Sequence, residues 1–238
     1  MHTSGPVPNH ELYEVFHSLF EVVPADTAER IAISQALRYQ VYCLEQGFER
    51  PEAHPDERER DPYDGRSVHA LVRCRRTGQF AGSVRLVLSH PQNRDAPFPI
   101  EEHCLDVFHR PSMRWELPRH ATAEISRFAI SRRFTRVPHI TIGLFAGIVQ
   151  MSVRQGITDW YAVMEPALLR LLTRFGIRFQ PIGGMVAYHG RRRPTRGLAD
   201  RILAGIHQER PEVWEVITDC GRMWPLTGES RKPGEARY

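Results

Sequence analysis

Lysine is nearly absent from this sequence. Lys232 is the single lysine among 32 basic residues, so arginine carries almost all of the positive charge. Arginine stays charged at physiological pH, and its planar fork of donors matches carboxylates and phosphates. The net charge of +4 is too small to demand an acidic partner. No recognised nucleic-acid motif accompanies the run Arg191-Arg192-Arg193, so no nucleic-acid partner is expected.

Disulfide, metal and nucleophile motifs are also missing. The four cysteines occur without a C-x-x-C pair or zinc-finger spacing, which indicates reduced, mostly buried thiols. Neither an H-E-x-x-H pair nor a G-x-S-x-G elbow is present, so no metal site and no serine nucleophile are predicted. Cys104 beside His103 is a candidate for covalent catalysis, but nothing in the sequence indicates a lowered thiol pKa. His69, within a predicted strand, is interpreted as a core histidine.

Long apolar segments are lacking as well. The longest, Ile140 to Val149, has about ten residues, whereas a membrane-spanning helix needs about 20. The first residues show no basic start followed by an apolar run, so no secretory signal is predicted and the cytoplasm is the expected compartment. With 41% apolar and 25% charged residues, the composition is that of a globular protein. We predict one domain over residues 1–226 and a basic, flexible tail over 227–238.

Hydrophobic periodicity predicts the order of the secondary structure. Two helices are expected over residues 11–23 and 28–46, the second capped by Thr27. A long acidic, proline-containing loop follows over residues 46–65. Further strands are expected over 68–75, 80–88, 123–130, 159–164, 178–187 and 213–217, and further helices over 139–155, 166–175 and 198–209. This order predicts an α/β (α+β) fold, with a mixed, mostly antiparallel sheet flanked by helices, although other α+β folds share it.

Four short motifs follow one another along the chain. They are Arg38-x3-Tyr42-x5-Phe48, Glu59-x-Asp61-x2-Asp64, Gly82-x2-Arg85-Leu86 and Glu124-x2-Arg127-Phe128. In this order they resemble the acyl-homoserine-lactone autoinducer synthases, in which Phe and Trp usually stand in place of Tyr42 and Phe48. The resemblance implies a GNAT-like fold, that of the acyl-CoA N-acyltransferases, and substrate contacts by six residues: Arg38, Tyr42, Phe48, Asp61, Asp64 and Arg85.

Two further segments resemble a different branch more closely. Pro97 to Cys104 and His189 to Pro194 are similar to segments of the long-chain N-acyl amino acid synthases and of PEP-CTERM/exosortase-associated acyltransferases. This resemblance implies transfer of a medium or long acyl chain from acyl-carrier protein to the amine of an amino acid. An autoinducer synthase using S-adenosylmethionine is one alternative. A non-catalytic GNAT-like module that binds acyl-carrier protein is another.

Glu124 and Arg127 are the candidate catalytic residues. Amide formation from a thioester needs a neutral amine, whereas an α-amino group with a pKa near 8 is mostly protonated at neutral pH. As a hypothesis, Glu124 is the base, and Arg127 orders the acidic loop or the acceptor carboxylate. On a regular strand, residues three apart point to opposite faces. Alternatively, these residues belong to a structural ion-pair network with Arg38, Arg85, Asp61 and Asp64.

Glycine is absent from the loop that follows this motif. The resemblance implies a Gly-rich, pyrophosphate-binding loop there in CoA-dependent enzymes, whereas this chain has Arg132 to Pro138. We therefore predict acyl-phosphopantetheine on a carrier protein as donor rather than acyl-CoA, and no permanently bound cofactor. Arg132, Arg133 and Arg136 would bind the phosphopantetheine phosphate or the carrier protein, or form a solvated basic loop. The helix over 139–155 is expected to be mostly core, with some residues along an acyl tunnel.

Overall fold

The first part of the chain folds as helix, strand and helix in the computed structural model, which describes residues 10–93, 95–105 and 118–225. Helix α1 spans Glu11–Leu19, and strand β1 spans Phe20–Pro24. The prediction of one helix over residues 11–23 is therefore wrong at its carboxyl-terminal end. Val22 and Val23 are β-branched, and they pair with the next strand of the sheet rather than extending α1.

Helix α2 leads into the acidic loop. It spans Ala28–Tyr39 and continues as a π-helical turn over Gln40–Glu45. The Thr27 hydroxyl accepts a hydrogen bond from the N–H of Arg30 at 3.3 Å, which confirms the predicted cap. The predicted loop is also confirmed, with short 3-10 turns at Pro51–Ala53 and Asp64–Arg66. It is anchored to the protein, because the side chain of Glu59 is buried.

One mixed sheet organises the remaining chain. Its other strands are β2 (Ser67–Cys74), β3 (Phe80–Leu88), β4 (Thr122–Ile130), β5 (Asp159–Met164), β6 (Gln180–Pro181), β7 (Val186–Ala187) and β8 (Arg191–Leu198). The strand order is β1-β2-β3-β4-β5-β8-β6, with β7 paired to β8. Strands β4 and β5 are parallel, and the other neighbouring pairs are antiparallel.

Helices cover both faces of the sheet. The later ones are α3 (Pro99–His103), α4 (Pro138–Gln155), α5 (Pro166–Arg174), α6 (Ala199–Glu209) and α7 (Pro211–Thr218). Helix α4 connects the parallel strands β4 and β5 and lies against β1, β2 and β3. Its approach requires glycine, because a Cβ added at Gly147 would lie 2.7 Å from the Cβ of Ala70. Helix α2 and the acidic loop pack on the opposite face. This is the predicted mixed, mostly antiparallel architecture.

Two predictions for the carboxyl-terminal half are wrong. Residues 213–217 belong to helix α7 rather than to a strand, because a short buried apolar run does not distinguish the two and Pro211 starts the helix. The strand predicted over residues 178–187 reduces to the two-residue strands β6 and β7. Strand β8 was not predicted, since its arginines and Pro194 lack the pattern of a strand.

Neither a membrane-spanning helix nor a metal-binding cluster is present in the described ranges. No helix there combines the length and hydrophobicity needed to cross a membrane. The same residues contain no cluster of three or more His, Cys, Asp or Glu side chains that could hold a metal ion. The predicted tail over residues 227–238 lies outside the described residues.

Candidate functional site

Strand β4 carries a bulge at the centre of the site. Ser83 of β3 pairs with Ala129 and Arg85 pairs with Ser126, so two residues of β4, Arg127 and Phe128, stand opposite one residue of β3. Arg127 adopts a left-handed conformation with φ +51°. The bulge changes the phase of the pleat. The expectation that Glu124 and Arg127 point to opposite faces is therefore wrong, because it assumed a regular strand.

Three arginines near the bulge bind three carboxylates of the acidic loop. Arg38 donates through Nε to Glu59 at 2.5 Å and through Nη1 to Asp64 at 2.6 Å. Arg85 donates through Nη1 to Asp61 at 2.6 Å and to Asp64 at 2.7 Å. Arg127 donates through Nη2 to Glu59 at 2.8 Å and lies 3.1 Å from Asp61. Each carboxylate is thus shared by two guanidinium groups. We call these six residues the closed network.

The closed network is buried and balanced in charge. Arg38 has no exposed surface, and the side chain of Arg127 is 10% exposed. Burial alone would raise the pKa of Asp64, but hydrogen bonds from Arg38 and the charges of Arg38 and Arg85 hold that pKa well below its usual range. Removing one member of a buried ion pair costs about 3–5 kcal/mol. The geometry therefore supports the structural-network alternative for Arg38, Asp61 and Asp64, which do not line the adjoining cavity.

That cavity opens where β4 and β5 separate. Their ladder runs from Thr122–Asp159 to Ile125–Ala162, and the cavity of about 210 Å³ lies beyond it. Its polar lining, which we call the polar end, includes Tyr42, Arg85, Glu124, Ser126, Arg127, Glu165, Tyr188, His189 and Arg192. Its apolar lining, which we call the apolar end, includes Phe128, Ile130, Phe145, Ile148, Met164, Leu168, Leu171 and Leu172. One cavity therefore joins titratable groups to an apolar compartment.

Glu124 is the buried carboxyl group at the polar end. Its side chain accepts a hydrogen bond from the backbone N–H of Ile100 in α3, at 2.7 Å. Burial raises the pKa of Glu124 to about 8, although the Ile100 N–H and the charge of Arg85 act in the opposite direction. A carboxyl group with a pKa this close to neutrality can exchange a proton with a bound amine.

A comparison with known domain families identifies the part of the chain that contains the site. Residues 37–142 match the acetyltransferase (GNAT) domain family. The chain contains a GNAT domain. It is accordingly an acyltransferase, and the matched range includes both Glu124 and the closed network.

One relative is an acyl-homoserine-lactone synthase from Aliivibrio fischeri, which is 27% identical to this chain over 169 residues. The aligned residues cover 69% of this chain and 80% of the relative. The fold is similar to that of TofI in complex with an inhibitor and MTA. The TM-score there is 0.61 at 23% identity, over 82% of this chain and 99% of TofI. FeeM, an N-acyl amino acid synthase from uncultured soil microbes, has a TM-score of 0.53 at 13% identity, over 78% of this chain and 94% of FeeM.

Two aromatic residues in the GNAT domain order guanidinium groups. The Arg127 guanidinium carbon lies 5.4 Å from the centre of the Tyr42 ring, and that of Arg192 lies 5.3 Å from the centre of the Phe48 ring. The two rings are 6.2 Å apart. Of this pair, only Tyr42 lines the cavity. A direct substrate contact by Phe48 stays a prediction.

The three arginines of the basic turn before α4 do not line the cavity. Arg132, Arg133 and Arg136 are exposed on the turn Arg132–Phe134 and the residues after it. Arg132 donates to the backbone oxygen of Glu45 at 2.8 Å. Thr135, between these arginines, does line the cavity. Their predicted contact with a phosphopantetheine arm or carrier protein stays a prediction.

Helix α4 contributes only part of its apolar surface to the cavity. Phe145 and Ile148 line it, whereas Ile142, Leu144 and Val149 belong to the central core. Neither of two other candidates acts in this cavity. His69 is buried with its pKa lowered to about 4 by burial, and burial raises the pKa of Cys104 to about 11. The site therefore provides no thiolate nucleophile at neutral pH through Cys104.

Sequence reasoning did not assign several residues of the polar end. Glu165, Tyr188, His189 and Arg192 line the cavity, and Glu59 links Arg38 to Arg127 behind it. Glu59 was visible as the first residue of the acidic motif. The run Arg191-Arg192-Arg193 was visible too, but its significance depends on β8, whose pairing with β5 brings Arg192 to the cavity.

Proposed function

We propose that this chain transfers a medium or long acyl chain from a carrier thioester to the amine of an amino acid. The observation that carries the proposal is that one cavity is lined both by the buried Glu124 and by apolar side chains of α4 and α5. Its volume of about 210 Å³ is below the usual range of about 300–1,000 Å³ for ligand pockets, which favours a medium chain.

In the proposed reaction, the acceptor amine attacks the thioester carbonyl carbon. A C–N bond forms, the C–S bond breaks, and the proton lost from nitrogen passes to Glu124 and then to the departing thiolate. The product is an amide whose nitrogen is uncharged, and the thiol is released. The backbone of β4 beyond the end of its ladder with β5 is the candidate donor to the oxyanion.

Acyl-carrier protein is the proposed donor, and Arg132, Arg133 and Arg136 are its proposed contacts. Their exposure beside the cavity residue Thr135 supports this assignment, as does the lack of glycine in the turn. Acyl-CoA is the competing donor. Membership of the PEP-CTERM/exosortase-associated branch and a cytoplasmic location remain part of the proposal.

The second candidate is an autoinducer synthase that acylates S-adenosylmethionine. The 27% identity with the Aliivibrio fischeri synthase favours it. Both candidates use the same amine chemistry at Glu124, and they differ in the acceptor and in the subsequent lactone formation.

The experiment supplies the purified chain with acyl-carrier protein and acyl-CoA donors of several lengths. Each donor is combined with a panel of amino acids and with S-adenosylmethionine, and products are identified by mass. An N-acyl amino acid supports the proposal, whereas an acyl-homoserine lactone supports the second candidate. If thiol release never exceeds background with any acceptor, the chain is a non-catalytic module and both candidates are wrong.

A further inference from the structure

The arginines of the polar end differ in how many of their N–H donors bind carboxylates. Arg127 binds Glu59 through Nε and Nη2 and also contacts Asp61. Arg85 contacts Asp61, Asp64 and Ser126. Both belong to the closed network, where exchanging one carboxylate for that of a ligand would leave a buried charge without its partner. Neither is therefore suited to bind a carboxylate that must enter and leave.

Arg192 stands in a different environment on the same cavity wall. It donates through Nη2 to Glu165 at 3.1 Å and through Nε to the backbone oxygen of His189, also at 3.1 Å. The side chain of Arg192 is 15% exposed and that of Glu165 is 44% exposed. A partly solvated pair of this kind contributes little to stability, so its carboxylate can be replaced at low cost.

Two contacts besides Glu165 hold the Arg192 guanidinium group in place without adding a second carboxylate. The ring of Phe48 supports one side, at 5.3 Å from the guanidinium carbon, and also lies 6.0 Å from the ring of His189. The His189 backbone oxygen fixes Nε. A planar guanidinium group fixed in this way is ready to form a two-point contact with a carboxylate.

We infer that Arg192 is the binding residue for the carboxylate of the acceptor, which takes the place of the Glu165 carboxylate on Arg192. The inference rests on the proposed function, because it requires an acceptor that carries a carboxylate next to its amine. It assigns that carboxylate to Arg192 rather than to Arg127. Binding of the acceptor turns Glu165 towards solvent, while the closed network remains intact.

Calorimetric titration tests the assignment without turnover. The probes are the best-binding member of the common amino acids and its carboxamide, which keeps the amine and loses the carboxylate. The unchanged protein is expected to bind the amino acid more tightly than the carboxamide. In Arg192→Gln, the dissociation constant for the amino acid should rise by about 10- to 100-fold, with the carboxamide unaffected.

Glu165→Gln separates ligand binding from a merely structural ion pair. Removal of the competing carboxylate should lower the dissociation constant for the amino acid by about two- to fivefold. A structural pair predicts that both variants weaken binding. Arg191→Gln, an exposed neighbour on β8, is the matched control and should bind as the unchanged protein does.

The outcomes distinguish the two proposals. Equal binding of amino acid and carboxamide to the unchanged protein, no binding of either, or weaker binding in both variants overturns the assignment of Arg192. Turnover is measured separately: if acylation occurs, KM for the amino acid should rise in Arg192→Gln with little change in kcat. Discrimination between the probes without any acylated product would leave Arg192 as a carboxylate site and reject the transferase activity.

Discussion

The closed network and Glu124 lie on the same face of the sheet, yet their carboxyl groups have opposite electrostatic properties. Glu59, Asp61 and Asp64 each contact two guanidinium groups, and their pKa values are lowered in spite of burial. Glu124 accepts a backbone hydrogen bond, and burial raises its pKa to about 8. Direct contact with arginine thus separates the carboxylates that fix the loop from the one that can exchange protons.

The bulge at Arg127 makes this division possible. It brings Arg127 to the face occupied by the acidic loop, so that this guanidinium group contacts Glu59 and Asp61. Arg127 therefore acts on the loop, and the loop in turn supports the polar end of the cavity. The Glu124–Arg127 motif contains one candidate base and one positioning residue.

The largest expected effect is the loss of the proton acceptor. Glu124→Gln should lower kcat by about 10²- to 10⁴-fold, because the amide keeps the shape of the side chain and its hydrogen bond but cannot accept the proton. The measurement is steady-state acylation with the donor and acceptor identified by product mass. Unchanged circular dichroism would show that the fold persists, and full turnover in this variant would reject Glu124 as the base.

Breaking the closed network tests the other half of the comparison. Arg38→Leu should reduce the free energy of unfolding by about 3–5 kcal/mol, because Glu59 and Asp64 would lose their most buried cation. Urea denaturation followed by fluorescence measures this loss. Arg178→Leu removes a guanidinium group from an exposed pair with Glu209 and should leave the midpoint nearly unchanged. Equal midpoints for the two variants would contradict the structural role of the network.

The sequence motifs predicted most of the residues that form the site, but they did not predict its geometry. The order of the motifs brought Arg38, Asp61, Asp64, Arg85 and Glu124 together as one group. The opposite-face expectation failed because a bulge depends on pairing between strands, which no local pattern of β4 records. Arg192 was named in a basic run but was not assigned to the cavity, because β8 forms through its pairing with β5 and has no alternating apolar residues of its own.

The stability of the protein should also respond to the raised pKa of Glu124. Between the unfolded value of 4.5 and the folded value of about 8, the folded state binds more protons, so this contribution to stability is complete below pH 4.5 and is lost as pH rises through 8. Its loss is about 1.4 kcal/mol per pH unit at the steepest. Urea denaturation of the unchanged protein and of Glu124→Gln at each pH gives this contribution by difference.

Other titratable groups limit the pH range in which the contribution of Glu124 can be measured. His69, whose pKa is lowered to about 4, makes stability rise with pH between about 4 and its ordinary value of 6.5. The closed-network carboxylates lose their contribution only as pH falls below their ordinary values near 4. The interval from pH 6.5 to 8 therefore isolates Glu124. A constant difference in unfolding free energy between the two proteins across that interval would contradict the raised pKa of Glu124.

The smallest expected effect concerns Arg192, which lies outside the closed network and depends on an aromatic ring for support. Phe48→Leu keeps an apolar side chain but removes the ring 5.3 Å from the Arg192 guanidinium carbon. Cation–π contacts at partly exposed sites contribute about 0.5–1 kcal/mol, so the dissociation constant for the acceptor should rise about two- to fivefold. Titration calorimetry measures the change, and Phe48→Tyr, which retains a ring, is the control. If the Phe48→Leu and Phe48→Tyr variants bind the acceptor equally well, Arg192 is held by His189 and Glu165 alone, and the aromatic position in the sequence motif has another purpose.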